Sequence, residues 1–205
     1  MISGRKKKLA LFDLDGTITF RDTFMDFIMY SIDPHEYRKG MSNLMPSMFA
    51  YMLKRLSNHE LKERFLTRFF GGWSWDEFSR KGNKYGSERL PHLIRSDAIK
   101  QIRWHLERKH QVCVVSGSIS EWISGWCTMH NILPVCNEMI TENGRITGKI
   151  KNPNCYGSGK VERIRRSVNL EEFEYIFAYG NSRGDREMLE MADERGYRVF
   201  KLKNH

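Results

Sequence analysis

Cysteine is scarce in this sequence, and long apolar runs are absent. The cysteines form neither a CxxC pair nor the Cys and His spacing of a metal site, and no signal peptide precedes them. We therefore expect free thiols in a reducing compartment and a cytoplasmic location. The longest uncharged stretches, residues 41–53 and 122–137, are shorter than the about 20 residues that a bilayer-spanning helix needs, so we expect no transmembrane segment. The four cysteines are Cys113, Cys127, Cys136 and Cys155.

Acidic residues are in the minority among the charged residues. The chain has 25 Asp and Glu residues against 34 Lys and Arg residues, a formal net charge of +9. This excess favours an anionic partner, namely a phosphorylated small molecule, a nucleic acid or an anionic membrane surface. No basic stripe with interleaved aromatic residues is present, which makes nucleic acid the weaker candidate. The basic run at residues 5–8 is interpreted as a solvated tail, and nothing in the sequence specifies an oligomeric state.

Internal repeats and low-complexity segments are also absent, and apolar runs alternate with helical patterns along most of the chain. With 205 residues, 40% of them hydrophobic, the chain can form one core and a smaller second unit. The alternation predicts an α/β fold, a doubly wound parallel sheet of Rossmann-like type, and Asn143-Gly144 predicts a hairpin turn. Strand patterns occupy residues 9–13, 111–118, 134–140, 175–179 and 197–202, and helical patterns occupy residues 98–110, 120–129, 159–168 and 186–195.

A block without convincing strands interrupts this alternation after the first apolar run. The block is rich in Met, Phe and Trp, and it has helical patterns at residues 22–30, 41–53, 61–70 and 75–85. We therefore predict a Rossmann-like core domain, residues 1–20 and 92–205, with a small all-helical cap, residues 21–91. The apolar side chains of this cap are interpreted as a bundle core, and some of them as the lining of a pocket beneath a hinged lid.

Polar side chains follow three of the apolar runs at the point where each run ends. Because the carboxyl ends of parallel strands meet at one edge of a sheet, we expect these groups to converge. Two close carboxylates repel each other unless a cation or a shared proton relieves them, and the whole set suits a divalent metal and a phosphoryl group. Local alternatives are turns at Asp15 and Ser116, a surface cation at Lys160 and a helix N-cap at Asp185. The groups are Asp13 and Asp15, Ser116-Gly117-Ser118, Lys160 at a helix start, and Asn181 with Asp185.

Four segments together resemble the motifs of the haloacid dehalogenase superfamily, and specifically its phosphoserine phosphatase-like branch. Residues 12–17 (FDLDGT) resemble the first motif, residues 116–118 the second, Lys160 the third and residues 179–185 the fourth, in the family's order. The resemblance implies a Mg²⁺-dependent phosphatase that works through an aspartyl-phosphate intermediate. It implies that Asp13 is the nucleophile, that Asp15 is the general acid and base, and that Lys160 neutralises charge, while phosphate oxygens are held by Thr17, Ser116 and Gly117.

The fourth motif departs from the family pattern at one position. Residue 181 is Asn, where the family usually has Asp. The resemblance implies that Mg²⁺ is held by Asp13, the backbone carbonyl of Asp15 and Asn181, with Asp185 orienting the waters of the metal. An amide oxygen can bind Mg²⁺ but carries no charge. We therefore expect a lower affinity for the metal and a weaker repulsion of a phosphate dianion.

Substrate choice is assigned to the helical cap, and the expected partner is a small phosphorylated substrate. The resemblance places Asp22 where a carboxylate of phosphoserine phosphatases meets the substrate amine, and the alternative is that Asp22 caps the following helix. Arg64 is a candidate for a substrate carboxylate, with a solvated helix face as its alternative. The substrate is expected to be phosphoserine-like or another small metabolite. Open alternatives are a phospholipid-headgroup or lysophospholipid phosphatase or phosphotransferase, and a non-catalytic anion-binding or RNA-binding module on the same fold.

Overall fold

The computed structural model describes residues 7–151 and 153–200, and a five-stranded sheet lies at its centre. The strand order is β3-β2-β1-β6-β7, and every neighbouring pair in this sheet is parallel. The predicted α/β fold with a doubly wound parallel sheet is therefore confirmed. The strands are β1 (Lys7–Asp13), β2 (Gln111–Ile119), β3 (Leu133–Asn137), β4 (Met139–Glu142), β5 (Arg145–Ile150), β6 (Phe173–Gly180) and β7 (Glu194–Tyr197).

Strand β1 occupies the middle of the sheet because both of its faces are apolar. Leu9 and Leu11 pack into one buried cluster, while Ala10 and Phe12 pack into a second cluster on the opposite face. Alternate side chains of a strand point to opposite faces, so one short apolar run supplies both cores. This placement brings the carboxyl end of β1, and the polar residues that follow it, to the middle of one sheet edge.

Helices cover the sheet and also form an insertion between β1 and β2. The sheet helices are α5 (Ser96–Glu107), α6 (Ser124–Met129), α7 (Ser158–Ser167) and α8 (Arg186–Glu190). We call α1–α4 the helical insertion; its helices are α1 (Thr23–Ser31), α2 (Pro34–Met52), α3 (Asn58–Phe70) and α4 (Trp75–Glu88). Its core is aromatic: the ring centroid of Phe27 lies 5.4 Å from that of Phe70 and 5.8 Å from that of Phe78. Among the described residues, no helix combines the length and the apolar content needed to cross a bilayer.

The hairpin predicted at Asn143-Gly144 is confirmed, although the strand before it is shorter than predicted. Both turn residues have positive φ, 49° and 73°, as a tight hairpin with the natural strand twist requires. The predicted single strand over residues 134–140 is wrong, because β3 ends at Asn137 and β4 pairs only with β5. The buried Asn137 amide donates to the Gly117 carbonyl (2.8 Å), and its oxygen accepts from Cys155 N (2.8 Å). These bonds fix the end of β3 and leave β4 free to pair in the hairpin.

This hairpin packs against the helical insertion. Trp75 N donates to the Gly144 carbonyl (2.9 Å), and Gly72 N donates to the Ile146 carbonyl (2.8 Å). The backbone of the α3–α4 connection is thereby joined to residues beyond β3 in the chain. The helical insertion is therefore fixed to the rest of the molecule through backbone hydrogen bonds.

The C-terminal elements are shifted relative to the sequence prediction. The helix predicted over residues 186–195 ends at Glu190, and the strand predicted over residues 197–202 lies instead at Glu194–Tyr197. Residues 201 and 202 lie outside the described residues. The reason is that Asp193 N donates to the Ile176 carbonyl (2.9 Å), which starts the pairing of β7 with β6 before Arg195. An edge strand tolerates charged residues such as Arg195, so its pattern is not apolar.

Two smaller predictions also need correction. The helix predicted over residues 120–129 is a 3₁₀ turn at Ser120–Trp122 followed by α6. The basic run at residues 5–8 is not simply a solvated tail, because Lys7 and Lys8 belong to β1. Lys7 pairs with Glu172 (3.2 Å), and Lys8 lies over the ring of Tyr175. Arg5 and Lys6 lie outside the described residues.

Candidate active site

Asp13 lies at the carboxyl end of β1 and is 6% exposed. Its Oδ1 accepts from Lys160 Nζ (2.6 Å), and its Oδ2 accepts from Thr17 Oγ1 (2.8 Å). Burial raises the pKa of Asp13 to about 7, with the nearby charges of Asp185 and Asp15 acting in the same direction and Lys160 opposing them. The ionisation of the Asp13 carboxyl therefore depends on neighbouring cations such as Lys160.

Lys160 joins the two buried carboxylates of the site. Its Nζ, which belongs to the first turn of α7, donates to Asp13 Oδ1, to Asp185 Oδ1 (2.6 Å) and to the Val115 carbonyl (2.9 Å). Burial alone would lower the pKa of Lys160, but the Asp13 and Asp185 charges raise it above its usual range. The alternative of a surface cation is wrong, because Lys160 is 3% exposed.

Asp185 is engaged on both carboxylate oxygens. While Oδ1 accepts from Lys160, Oδ2 accepts from Asn181 N (3.1 Å), Ser182 N (2.9 Å) and Ser182 Oγ (2.7 Å). Burial acts to raise the pKa of Asp185, but Lys160 and these donors hold it below its usual range. The carboxylate does not cap the backbone of α8, which follows it. Asp185 therefore stays ionised and orients both Lys160 and the loop that carries Asn181.

Gly16 allows the turn after β1 to approach the loop after β6. Its φ is +83°, a left-handed value that favours glycine, and a Cβ at this position would collide with the side-chain amide of Asn181. The Asn181 Oδ1 atom is buried and has no hydrogen-bond partner among residues 7–151 and 153–200. A buried carbonyl oxygen without a hydrogen-bond partner can accept from a bound donor or bind a cation. The arrangement places that oxygen beside the turn that contains Asp15.

Asp15 is held by a ring of hydroxyl and amide donors. Thr23 donates to Oδ1 from its backbone N (2.6 Å) and from Oγ1 (2.7 Å). Ser118 Oγ (2.9 Å) and Ser116 Oγ (3.2 Å) donate to Oδ2. Ser116 also accepts from Ser118 N (3.0 Å), so the strand-end turn proposed as its alternative is present as well. Asp15 thus connects β1, β2 and the first residue of α1.

Thr23 was not among the candidate site residues predicted from the sequence, and Ser118 was quoted only as part of a motif. Both lie in the shell around Asp15, and their hydroxyl oxygens are 2.9 Å apart. A signal for Ser118 is its alternation with Ser116, which places both side chains on one face of β2. The Thr23 contact depends on how the chain turns between residues 18 and 22, and local sequence patterns do not reveal such a turn.

Lys62 is a further site residue that the sequence prediction missed. From α3, its Nζ donates to the Gly117 carbonyl (2.6 Å) and lies 5.3 Å from the centroid of the Phe24 ring. Burial lowers the pKa of Lys62, and the charges of Asp15 and Asp22 oppose this effect. The signal in the sequence is a single cation on the apolar face of α3, three and four residues before Phe65 and Leu66.

The two predicted substrate residues lie in different surroundings. Asp22 Oδ1 accepts from Met25 N (2.9 Å), so the predicted cap of α1 is present. Burial and then the charge of Asp15 raise the pKa of Asp22, which places this carboxylate near the site. Arg64 Nη1 donates to Ser47 Oγ (2.8 Å), a contact between α3 and α2 within the helical insertion.

The oxygen donors of the site fit a hard divalent cation. The candidates are the Asp13 carboxylate, the Asn181 Oδ1 atom, which has no hydrogen-bond partner among the described residues, and, as the family resemblance implies, the Asp15 backbone carbonyl; together they carry one formal charge. Across residues 7–151 and 153–200, no group of three His, Cys, Asp or Glu side chains forms a cation site. A cation held here would therefore depend on a backbone carbonyl and an amide as well as on one carboxylate.

Comparison with known proteins identifies the family and the fold of this chain. The family model of haloacid dehalogenase-like hydrolases matches residues 10–190. Protein CicA of Caulobacter vibrioides (strain NA1000 / CB15N) is 29% identical over 204 residues, which is 98% of this chain and 90% of CicA. A protein of unknown function from Bordetella pertussis Tohama I has the same fold, with a TM-score of 0.78 and 22% identity over 93% of this chain and 89% of that chain.

A phosphoserine phosphatase structure, described as a phospho-aspartyl intermediate analogue, shares the fold as well. Its TM-score is 0.64 at 18% identity, and the match covers 93% of this chain and 86% of that chain. The resemblance predicted from the four motifs is therefore confirmed at the level of family and fold. The chain belongs to the haloacid dehalogenase-like hydrolases.

Proposed function

We propose that this protein is a Mg²⁺-dependent phosphatase that hydrolyses a small phosphate monoester through an aspartyl-phosphate on Asp13. The observation that carries the proposal is the pair formed by the buried Asp13 carboxylate and Lys160 Nζ, 2.6 Å apart at the carboxyl end of the central strand. Ligands of open parallel sheets bind at this edge.

In the first half-reaction, a carboxylate oxygen of Asp13 attacks phosphorus and the bond from phosphorus to the ester oxygen breaks. Asp15, in its protonated form, gives its proton to the leaving oxygen, so that an alcohol departs. In the second half-reaction, Asp15 takes a proton from water, the water oxygen attacks phosphorus, and the Asp13 carboxylate is released with inorganic phosphate. Thr23, Ser116 and Ser118 fix the Asp15 carboxyl for these two proton transfers.

Charge on the phosphoryl group is balanced by several groups of the chain. Lys160 stays protonated beside Asp13, and the Thr17 and Ser116 hydroxyls and the Gly117 backbone are the proposed phosphate donors. Asp13, the Asp15 carbonyl and Asn181 would hold Mg²⁺, with Asp185 supporting the site through Ser182 and Lys160. When bound, the cation neutralises charge on the phosphoryl oxygens.

The helical insertion is proposed to act as a cap over this site. The contact of Lys62 with Gly117, and the proximity of Asp22 to Asp15, support this role because both residues come from the insertion side of the fold. Lys62 and Asp22 carry opposite charges and lie next to the proposed phosphate site, which favours a substrate that carries charged groups besides its phosphate. A phosphoserine-like metabolite is one such substrate, in keeping with the fold shared with a phosphoserine phosphatase.

The decisive test is the substitution Asp13→Asn. An amide cannot form the aspartyl-phosphate, so we expect Mg²⁺-dependent phosphate release from an aryl phosphate to fall by about 10³-fold or more. Asp76→Asn, on an exposed carboxylate of α4, is the matched control and should keep the wild-type rate. Turnover by Asp13→Asn at a rate near wild type would refute the mechanism. A screen of phosphorylated metabolites would then identify the substrate.

A further inference from the structure

Helix α2 carries large apolar residues that no other described residue covers. Met45, Phe49 and Met52 follow one another at i, i+4 and i+7, and they are 65%, 62% and 76% exposed. Leu53, at the end of the helix, is 49% exposed. We call these four residues the α2 face. Helical spacing aligns the first three on one side of the helix, so they form a continuous stripe and not scattered surface residues.

Other apolar residues of the same helix account for its packing in the fold. Leu44 is 5% exposed and belongs to the main core cluster, and Met41 and Met48 pack against that cluster. Helical spacing places these three residues next to the α2 face, so the helix has one wide apolar face that is packed on one edge and exposed on the other. The apolar stripe of a surface helix normally faces the core, whereas this part of it faces solvent.

The stretch of sequence that carries the α2 face is cationic and has no carboxylate of its own. Between residues 37 and 59 the sequence has no Asp or Glu. It has Arg38 and Lys39 near the start of α2 and Lys54 and Arg55 just after its end, and all four are exposed. Arg38 stands seven residues before Met45, so it lies on the same side of the helix as the stripe.

The carboxylates that border this stretch are engaged by other groups. Glu36 lies near Lys39 (3.9 Å) and Arg68 (3.7 Å), and Glu60 accepts from the backbone N and the hydroxyl of Ser57. Among the described residues, Lys39 thus has an ion-pair partner, whereas no ion pair involves Arg38, Lys54 or Arg55. A shallow, open groove of about 630 Å³ lies beside the end of the stripe, with Met52, Lys54, Arg55 and Glu60 among its lining residues.

We propose that the α2 face docks this protein onto the surface of an anionic phospholipid bilayer. Long, flexible Met side chains and Phe49 can enter the boundary between headgroups and acyl chains, while the cations at both ends of the stripe meet lipid phosphates. The combination of a solvent-facing apolar stripe with flanking Lys and Arg is the pattern of a helix that lies in a membrane interface.

Charge favours a bilayer over two other partners of the α2 face, namely a second copy of the chain and a nucleic acid. In a symmetric dimer through the α2 face, the cations of one copy would approach those of the second, on a chain with a net charge of +9. A nucleic acid would satisfy the cations but would leave the stripe exposed to water. The proposal concerns a surface away from Asp13 and does not depend on the proposed phosphatase activity.

Vesicle co-sedimentation of the full chain tests the proposal. Wild-type protein should bind vesicles of equal parts phosphatidylglycerol and phosphatidylcholine, and it should bind pure phosphatidylcholine vesicles about tenfold more weakly. The triple variant Met45→Gln/Phe49→Gln/Met52→Gln should lose about tenfold or more of its partition coefficient on the anionic vesicles. The charge variant Lys54→Glu/Arg55→Glu should show a loss of similar size, and 0.5 M salt should weaken wild-type binding.

Matched control variants show whether the loss of vesicle binding is specific to the α2 face or follows from any change of an exposed Met or cation. Met129→Gln replaces a Met that is 63% exposed on α6, and Lys100→Glu/Arg103→Glu reverses two exposed cations on α5. Both controls should bind as wild type does, and all variants should keep the wild-type circular dichroism spectrum. The charge variant remains a test if the triple variant does not fold. Equal binding by the stripe variants and wild type, no binding of wild type to anionic vesicles, or a dimer in solution that the triple variant abolishes would overturn the proposal.

Discussion

At the residue scale, the side-chain amide of Asn181 sets the charge of the proposed metal site. Its Oδ1 is buried and unpartnered, and Gly16 packs against the same amide. Substituting Asn181→Asp adds a carboxylate to a set of donors that otherwise has the one charge of Asp13. We expect the added charge to strengthen Mg²⁺ binding by about 1.4 kcal/mol, which corresponds to a factor of ten. The Mg²⁺ concentration for half-maximal phosphate release should therefore fall by about tenfold. The measurement is a Mg²⁺ titration of the initial rate.

The same substitution should weaken the binding of a dianionic substrate, because the new carboxylate repels it. At saturating Mg²⁺, the KM of Asn181→Asp should therefore exceed that of wild type. Asn83→Asp, an exposed amide on α4, adds the same charge elsewhere and should change neither value. If Asn181→Asp leaves the half-saturating Mg²⁺ concentration unchanged, Asn181 is not a metal ligand.

The residues that were predictable from the sequence share one property. Asp13, Asp15 and Ser116 each stand at the end of an apolar run, so a local pattern marks both the strand and its polar end. Lys160 and Asp185 were recognised from motif order, yet the bond between them joins residues 25 positions apart. Thr23 and Lys62 were not predicted as site residues, because their partners, Asp15 and Gly117, belong to other elements. No local pattern encodes such pairings.

At the element scale, Lys62 is the charged link from α3 to the end of β2. Substituting Lys62→Met removes the ammonium that contacts the Gly117 carbonyl and faces Asp15 and Asp22. If the helical insertion is a cap, we expect the KM for a small anionic phosphate ester to rise about tenfold, with a smaller change in kcat. Steady-state kinetics of the purified variant measure both constants.

Arg64→Met is the matched variant for this experiment, since Arg64 lies two residues further along α3. Its guanidinium donates to Ser47 within the helical insertion, so we expect a smaller rise in KM than for Lys62→Met. A larger effect at Arg64 would restore that residue as the substrate contact predicted from the sequence. Equal KM values for Lys62→Met and wild type would show that α3 takes no part in substrate binding.

A buried carboxylate holds α1 to α4. Asp26 is 3% exposed and accepts from Arg89 Nε (3.0 Å), Arg89 Nη2 (3.0 Å) and Tyr85 OH (3.1 Å). Asp26→Ala would leave these donors unpaired, so we expect the free energy of unfolding to fall by about 2–4 kcal/mol. Urea denaturation followed by circular dichroism measures the loss.

The control for this substitution is an exposed carboxylate on the partner helix α4. Glu88 lies 3.9 Å from Lys84 in a solvent-exposed i, i+4 pair, and Glu88→Ala should cost no more than about 0.5 kcal/mol. Similar losses for Asp26→Ala and Glu88→Ala would mean that the buried hydrogen bonds contribute nothing beyond a surface ion pair. The α1–α4 contact would then depend on aromatic packing alone.

The elements that were predicted poorly are those that need a distant partner to form. The hairpin at Asn143-Gly144 was predictable because two residues with positive φ determine it locally. In contrast, β7 was placed several residues too late because its sequence is polar, and pairing with β6 alone makes it a strand. The end of β3 depends on hydrogen bonds of Asn137 to Gly117 and Cys155. Tertiary contacts overrode local preference in both cases.

At the scale of the whole molecule, a buried histidine links α5 to the sheet. His105 is fully buried, its Nε2 lies 3.0 Å from Tyr179 OH, and its Nδ1 lies 2.8 Å from His110 Nδ1. In the second contact one ring must donate and the other accept, so both rings cannot be protonated together. Burial, followed by the neighbouring His110 and Arg108, lowers the pKa of His105 to about 4.

The stability of the fold should therefore depend on pH through His105. Below its ordinary pKa of about 6.5 the histidine of the unfolded chain binds a proton, whereas the folded chain excludes it down to pH of about 4. The stabilising contribution is complete above pH of about 6.5 and is lost as the pH falls towards 4. Because other groups also titrate in this window, the quantity to measure is the difference in unfolding free energy between wild type and His105→Gln, which keeps a hydrogen-bonding side chain. Between pH 7.5 and 5 this difference should shift against wild type by about 2 kcal/mol, while His92→Gln, an exposed control, should follow wild type at every pH. A difference that stays constant with pH would show that His105 does not couple proton binding to folding.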